Sequence, residues 1–192
     1  MQTARQQEII ETALGLINEN GIQNLTIKNL SKKLGITEPA IYRHFENKIQ
    51  ILVSILDLMK QNSNDIFSSE LKSEKSAVQK IEQLFKKHFR SFSEMPSLAS
   101  VVFSEEMFRN EKVLIEKISE LIEQNNKILL TILNEGQNNN ELRNDIDAAH
   151  LAVIIMGALR LFVKKWQISG FTFDLQVEGN KLIQSVKLII SK

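Results

Sequence analysis

Thr26 to Lys48 reads TIKNLSKKLGITEPAIYRHFENK, and its pattern decides the fold. Thr26 offers a hydroxyl N-cap to a helix whose inward residues are Ile27, Leu30 and Leu34. Gly35 follows, where a left-handed helix end is cheap only for glycine. Ile36 plugs the turn, Thr37 caps a second helix, and Pro39 falls in its first turn, where a missing N–H costs little. Ile41 and Phe45 face back toward Leu30 and Leu34. Thr37, Glu38, Pro39, Ala40, Tyr42, Arg43 and His44 are left on or near the outward side. A helix this short does not persist alone in water. Its neighbours must hold it, and its free face is offered to something outside. This is helix-turn-helix logic.

The charges of the stretch fit a polyanion. Lys28, Lys32, Lys33, Arg43 and Lys48 stand against Glu38 and Glu46, a local net charge of +3 in a chain that is +1 overall. Lys48 starts the next helix, with Asn47 as its cap. A cation there opposes the helix dipole unless a phosphate docks on it. The alternative is a merely solvated lysine.

GIQNLTIKNLSKKLGITEPAIYRHFENKIQIL resembles the DNA-binding signature of the tetracycline-repressor (TetR) family of bacterial regulators. The resemblance runs from about Ile9 to Leu56, and IYRHFENK is its most specific part. It implies that Thr26, Thr37, Tyr42, His44 and Lys48 hold phosphates. It also implies that Lys28, Glu38, Pro39, Ala40 and Arg43 face base edges. Arg43 suits a bidentate contact to guanine and Ala40 a thymine methyl. Glu38 has two readings, an acceptor for a cytosine amine or an acid stabilised by the helix dipole.

The rest of the chain narrows the class. With 192 residues, 43% of them hydrophobic, it can bury a sizeable core. It has no cysteine, and its three histidines, His44, His88 and His150, show no ligand spacing. No catalytic Ser/His/Asp order, carboxylate pair or phosphate-cradling glycine loop is present, so neither an enzyme nor a metal or cofactor is expected. The N-terminus is amphipathic from the start, and the longest apolar run, Leu151 to Leu159, is far short of the ~20 residues of a membrane span. A soluble cytoplasmic protein with no membrane partner is expected.

Two prolines and seven glycines leave little punctuation, and 3.6-residue periodicity dominates. The expected fold is all-α, with about nine helices. Residues 1–47 form the DNA-binding domain, residues 48–192 a helical domain, and helix 48–67 links them. Further helices are expected over Ser76–Glu94, Ser97–Phe108, Glu111–Gly136, Asp145–Ser169 and Leu175–Ile190.

Six of ten phenylalanines lie between residues 67 and 108. Phe67, Phe85, His88, Phe89, Phe92, Phe103 and Met107 are core residues or the lining of an effector pocket. Arg160, interrupting an apolar helix, must be paired if buried. It forms either an ion pair, with Glu105 or Glu106 or across an interface, or an anchor for an acidic headgroup. The expected effector is therefore small and apolar or amphipathic. Helix 145–169 is apolar nearly all round, and Leu151, Ile155, Ala158 and Phe162 on it, with Leu182, Val186 and Ile189 on the last helix, are candidates for a homodimer interface. The family resemblance implies such a four-helix interface, a near-palindromic operator and release by the effector. The alternative is a DNA-binding regulator without a small-molecule effector, acting structurally or through a protein partner.

Overall fold

The computed structural model describes residues 2–104, 108 and 110–192. The chain is all-α. Its helices among the described residues are α1 (Ala4–Asn20), α2 (Ile27–Leu34), α3 (Glu38–Tyr42), α4 (Lys48–Leu71), α5 (Ala77–Glu94), α6 (Ser97–Val102), α7 (Lys112–Asn138), α8 (Ala148–Ile168) and α9 (Leu175–Ile190), with a 3-10 turn at Ile22–Asn24. They pack into two compact units. The first is Met1–Lys60 with Pro96–Ser119, and the second is Gln61–Met95 with Glu120–Lys192. Packing thus divides the chain inside α4, after Lys60. The cause is visible in α4 itself, where Ile51, Leu52, Ile55 and Leu56 are buried in the first core.

In the first unit, Thr3 and Gln6 form a capping box that starts α1, and Gly21, at φ 75°, ends it. Ile9, Ile10, Ala13 and Ile17 are buried along one stripe of α1. The Thr26 hydroxyl accepts from the Asn29 amide at 3.1 Å and starts α2. Gly35 closes α2 in the left-handed region, at φ 66° and ψ 27°. Ile36 N–H then donates to the Ser31 carbonyl at 3.1 Å. Leu25, Leu30, Ile41 and Phe45 complete the small core. α6 packs on α1 and contributes Leu98, Val101 and Val102 to the buried set. The helix expected over residues 97–108 stops at Val102, because Phe103, at φ −98° and ψ 15°, has left the helical region.

In the second unit, α5 begins with its own capping box, Ser76 with Gln79, and lies along α9. Gly179 is what allows this approach: a Cβ there would come closer than 3.0 Å to the ring of Phe89. α4 runs on to Leu71, past the expected end at Phe67. Its exposed C-terminal dipole is answered by Lys80, whose ammonium donates to the Leu71 carbonyl at 3.0 Å. Near the same end, Glu70 is almost fully buried and takes Lys87 at 2.6 Å and Lys75 at 3.0 Å. Ser63 Oγ donates to Asn125 Oδ1 at 2.9 Å, a buried polar contact between α4 and α7.

The candidate interface residues divide. Leu151, Ile155 and Val186 are buried within the protomer. They are core, because α5 and α9 of the same chain already cover that side of α8. Ala158, Phe162 and Leu182 are half-buried, and Ile189 is exposed. The open apolar surface lies one step round. Leu161 is 70% exposed and Leu188 82%, and Val153, Ile154, Ile168 and Val177 are exposed with them.

Candidate nucleic-acid interface

Local chemistry turns the α2–α3 corner outward. Ile41 is fully buried, which fixes the roll of the five-residue α3 and leaves Glu38, Pro39, Tyr42 and Arg43 exposed. Tyr42 is 50% exposed, its ring on the same open face. Ala40 and His44 are half-buried at the edges of this face. Lys28, on α2, and Lys48, on the first turn of α4, are exposed beside the corner in the chain. Thr26 is half-buried, its hydroxyl engaged by its own cap.

Two sequence expectations are refined. Thr37 stands at the N-cap of α3 in extended conformation, but its side chain makes no capping bond; its backbone carbonyl accepts from Ala40 instead. Lys33 pairs with Glu19 of α1. The positive surface therefore rests on Lys28, Lys32, Arg43 and Lys48, none of which forms an ion pair among the described residues. Asn47 does cap α4, accepting from the Gln50 amide at 3.0 Å. The Gln50 side chain reaches back to the Glu46 amide at 2.8 Å. Sequence reasoning did not reach Gln6, whose amide donates to the His44 carbonyl across 38 residues of chain. A contact that distant leaves no local pattern.

The aromatic candidates of the second unit pack ring against ring. Phe85 meets Phe89 edge-on, Phe89 meets Phe162, and Phe162 meets Phe173, each pair 5.7 Å apart between centroids. Phe67, Phe85, Phe89 and Phe92 are buried there. His88 stands edge-on to Phe92 at 4.9 Å, and burial of its ring pushes the imidazole down to about 4, so it is neutral near pH 7. Phe103 is buried in the first unit. Met107, Glu105 and Glu106 lie outside the described residues. Arg160 is half-buried and has an interaction partner.

An open groove of about 330 Å³ runs between α5 and α9, lined by Gln83, Lys86, Lys87, Phe89, Arg90, Gln176 and Asn180. Phe89 is the one expected pocket residue that lines it. Its cations are already paired, Lys86 with Glu82, Lys87 with Glu70 and Arg90 with Glu94.

Comparison with known proteins settles what this corner belongs to. Residues 9–55 match the bacterial regulatory proteins of the tetR family, and residues 57–191 match the YsiA-like C-terminal region of the same family. The chain belongs to the TetR family. It is accordingly a DNA-binding transcriptional regulator and not an enzyme. It is 26% identical over 177 residues to the fatty acid metabolism regulator protein of Bacillus subtilis, covering 92% of this chain and 91% of that protein. It is 24% identical over 185 residues to the probable acrEF/envCD operon repressor of Escherichia coli, covering 94% and 84% of the two. Among solved structures, the regulator FadR of Bacillus subtilis in complex with stearoyl-CoA superposes with a TM-score of 0.81 at 26% identity, over 94% of this chain and 96% of that one. Among the described residues, no helix is long and apolar enough to cross a membrane.

Proposed function

We propose that this protein is a ligand-responsive repressor that binds a near-palindromic operator as a cytoplasmic homodimer and releases it on binding an amphipathic effector of the fatty acyl-CoA class. The observation that carries the DNA half is the α3 face. Tyr42 and Arg43 are exposed over a buried Ile41, with Lys28 and Lys48, which form no ion pair among the described residues, nearby in the chain. Tyr42, His44, Lys48, Thr26 and Thr37 hold phosphates, while Lys28, Glu38, Pro39, Ala40 and Arg43 meet base edges. The open apolar stripe of α8 and α9 supports the dimer. Ile154, Leu161 and Ile168 recur every seven residues along α8, and Leu188 is exposed on α9.

The effector class rests on the relative bound to stearoyl-CoA and on the aromatic cluster of the second unit. An acyl chain needs an apolar lining, and Phe85, Phe89, Phe92 and Phe162 supply one. An effector releases the operator only if it prefers the non-binding state.

Genomic fragments selected by the purified protein test the reading. The expected result is a near-palindromic site bound with a steep salt dependence and released by long-chain acyl-CoA. Selection of no defined site would refute the operator, and binding indifferent to acyl-CoA would refute the effector. A second reading, a regulator without a small-molecule effector, is favoured by the ring-on-ring packing of Phe85, Phe89 and Phe162, which is that of a filled core. Indifference to acyl-CoA together with a selected site is its signature.

A further inference from the structure

Gln6 is the third residue of α1, and its side-chain oxygen accepts from the Thr3 amide at 2.9 Å to complete the capping box. That bond settles which end of the amide is oxygen. The Nε2 end then points the other way and donates to the backbone carbonyl of His44 at 3.3 Å. His44 lies just past the five-residue α3. Its carbonyl, two residues beyond the end of α3, lies outside that helix, and a helix this short needs outside support. The other side-chain ties of the turn into α4 are local, from Gln50 to the Glu46 amide and from the Gln50 amide to Asn47. Gln6 brings in a donor from a different element, one anchored by its own cap.

We propose that Gln6 is a positioning residue for DNA recognition. Its amide ties the α3–α4 turn to the N-terminus of α1, so that Tyr42, Arg43 and Lys48 are presented in one fixed arrangement. This inference rests on the reading of α3 as the recognition element. Gln6 itself need not touch DNA. A turn already held in place does not have to be ordered when the operator binds, and that ordering would otherwise weaken affinity.

Two substitutions separate the tie from the cap. Thr3→Ala removes the hydroxyl half of the capping box and leaves the Gln6 donor and its backbone acceptor bond intact. Gln6→Met keeps length but removes donor and acceptor together. Both fray α1. Only Gln6→Met frees the turn. The expected result is specific operator binding weakened about fivefold by Gln6→Met, as for loss of one ordinary hydrogen bond, with Thr3→Ala leaving it nearly unchanged. Non-specific DNA affinity and its salt slope should stay as in the parent protein for both, since no phosphate contact is lost. Backbone amide exchange of His44 and Phe45 should quicken in Gln6→Met alone.

Equal weakening by the two substitutions would reduce Gln6 to a capping residue and overturn the proposal. So would unchanged operator binding in Gln6→Met. A parent protein that selects no site would refute the DNA-recognition reading instead. In that event the exchange measurement still decides the tie, and equal exchange in the two variants would sink it.

Discussion

Replacing Gly179 with alanine should destabilise the protein, against the usual direction for a helix. Alanine in place of glycine in a helix interior gains up to about 1 kcal/mol from backbone propensity. Here the new methyl would lie closer than 3.0 Å to the Phe89 ring. That ring is fully buried and is braced by Phe85 on one side and Phe162 on another. Those two rings limit how far it can move aside. Overpacking of this kind costs about 1–3 kcal/mol. With the full propensity gain subtracted, the net expectation is a loss of up to about 2 kcal/mol, or a fall in Tm of up to roughly 8 °C for a chain of this size. Gly15→Ala in α1 is the control, because a Cβ there meets nothing within 4 Å. It should stabilise by up to about 1 kcal/mol. Urea unfolding followed by circular dichroism measures both. Combining Gly179→Ala with Phe89→Leu should recover part of the loss, giving a coupling of at least about 0.5 kcal/mol. A Gly179→Ala protein as stable as Gly15→Ala would refute the close approach of α5 and α9.

Replacing Tyr42 or Lys48 with alanine should weaken binding to all DNA sequences and lower the salt slope by about 1, whereas Arg43→Ala should cost about 1–3 kcal/mol on the operator and relax sequence choice; fluorescence anisotropy across salt concentrations reads both. Leu161→Lys and Leu188→Lys should yield a folded monomer in sedimentation, while Ile155→Val should cost about 1 kcal/mol of stability and leave association intact. Burial alone would raise the Glu70 carboxyl, but hydrogen bonds from Lys87 and Lys75 outweigh it and hold the group below its ordinary value of 4.5. A carboxyl lowered by folding contributes stability that is present above its unfolded pKa and is lost as pH falls through its folded one. Glu70→Gln should therefore flatten the loss of stability below about pH 4.5 seen in acid titration of the parent protein.

What was legible in the sequence is what short-range chemistry determines. Thr26, Gly35, Ile41 and Phe45 act within a few residues of themselves, and the corner they build is the expected one. The first residue of α9 follows from Asp174, which caps the amides of Gln176 and Val177. Which side of α8 the protomer itself covers was not legible. α8 is apolar on every side, so periodicity cannot say which side its own chain covers, and Leu151 and Ile155 fell on the covered side. Lys33 counted as surface charge until α1 brought Glu19 beside it. The tie from Gln6 to His44 joins residues that share no pattern.

The first unit is discontinuous in sequence, closed by Pro96–Ser119, with α6 lying on α1. During synthesis α1 to α3 leave the ribosome first, yet the apolar side of α1 waits for residues made much later. The recognition corner cannot reach its final stability until the chain has passed Ser119. A fragment ending after α4 would carry every residue of the corner and still display a sticky, uncovered helix. Chaperones would meet that surface on each nascent chain, and a grafted corner would need a substitute for α6 to stay in solution.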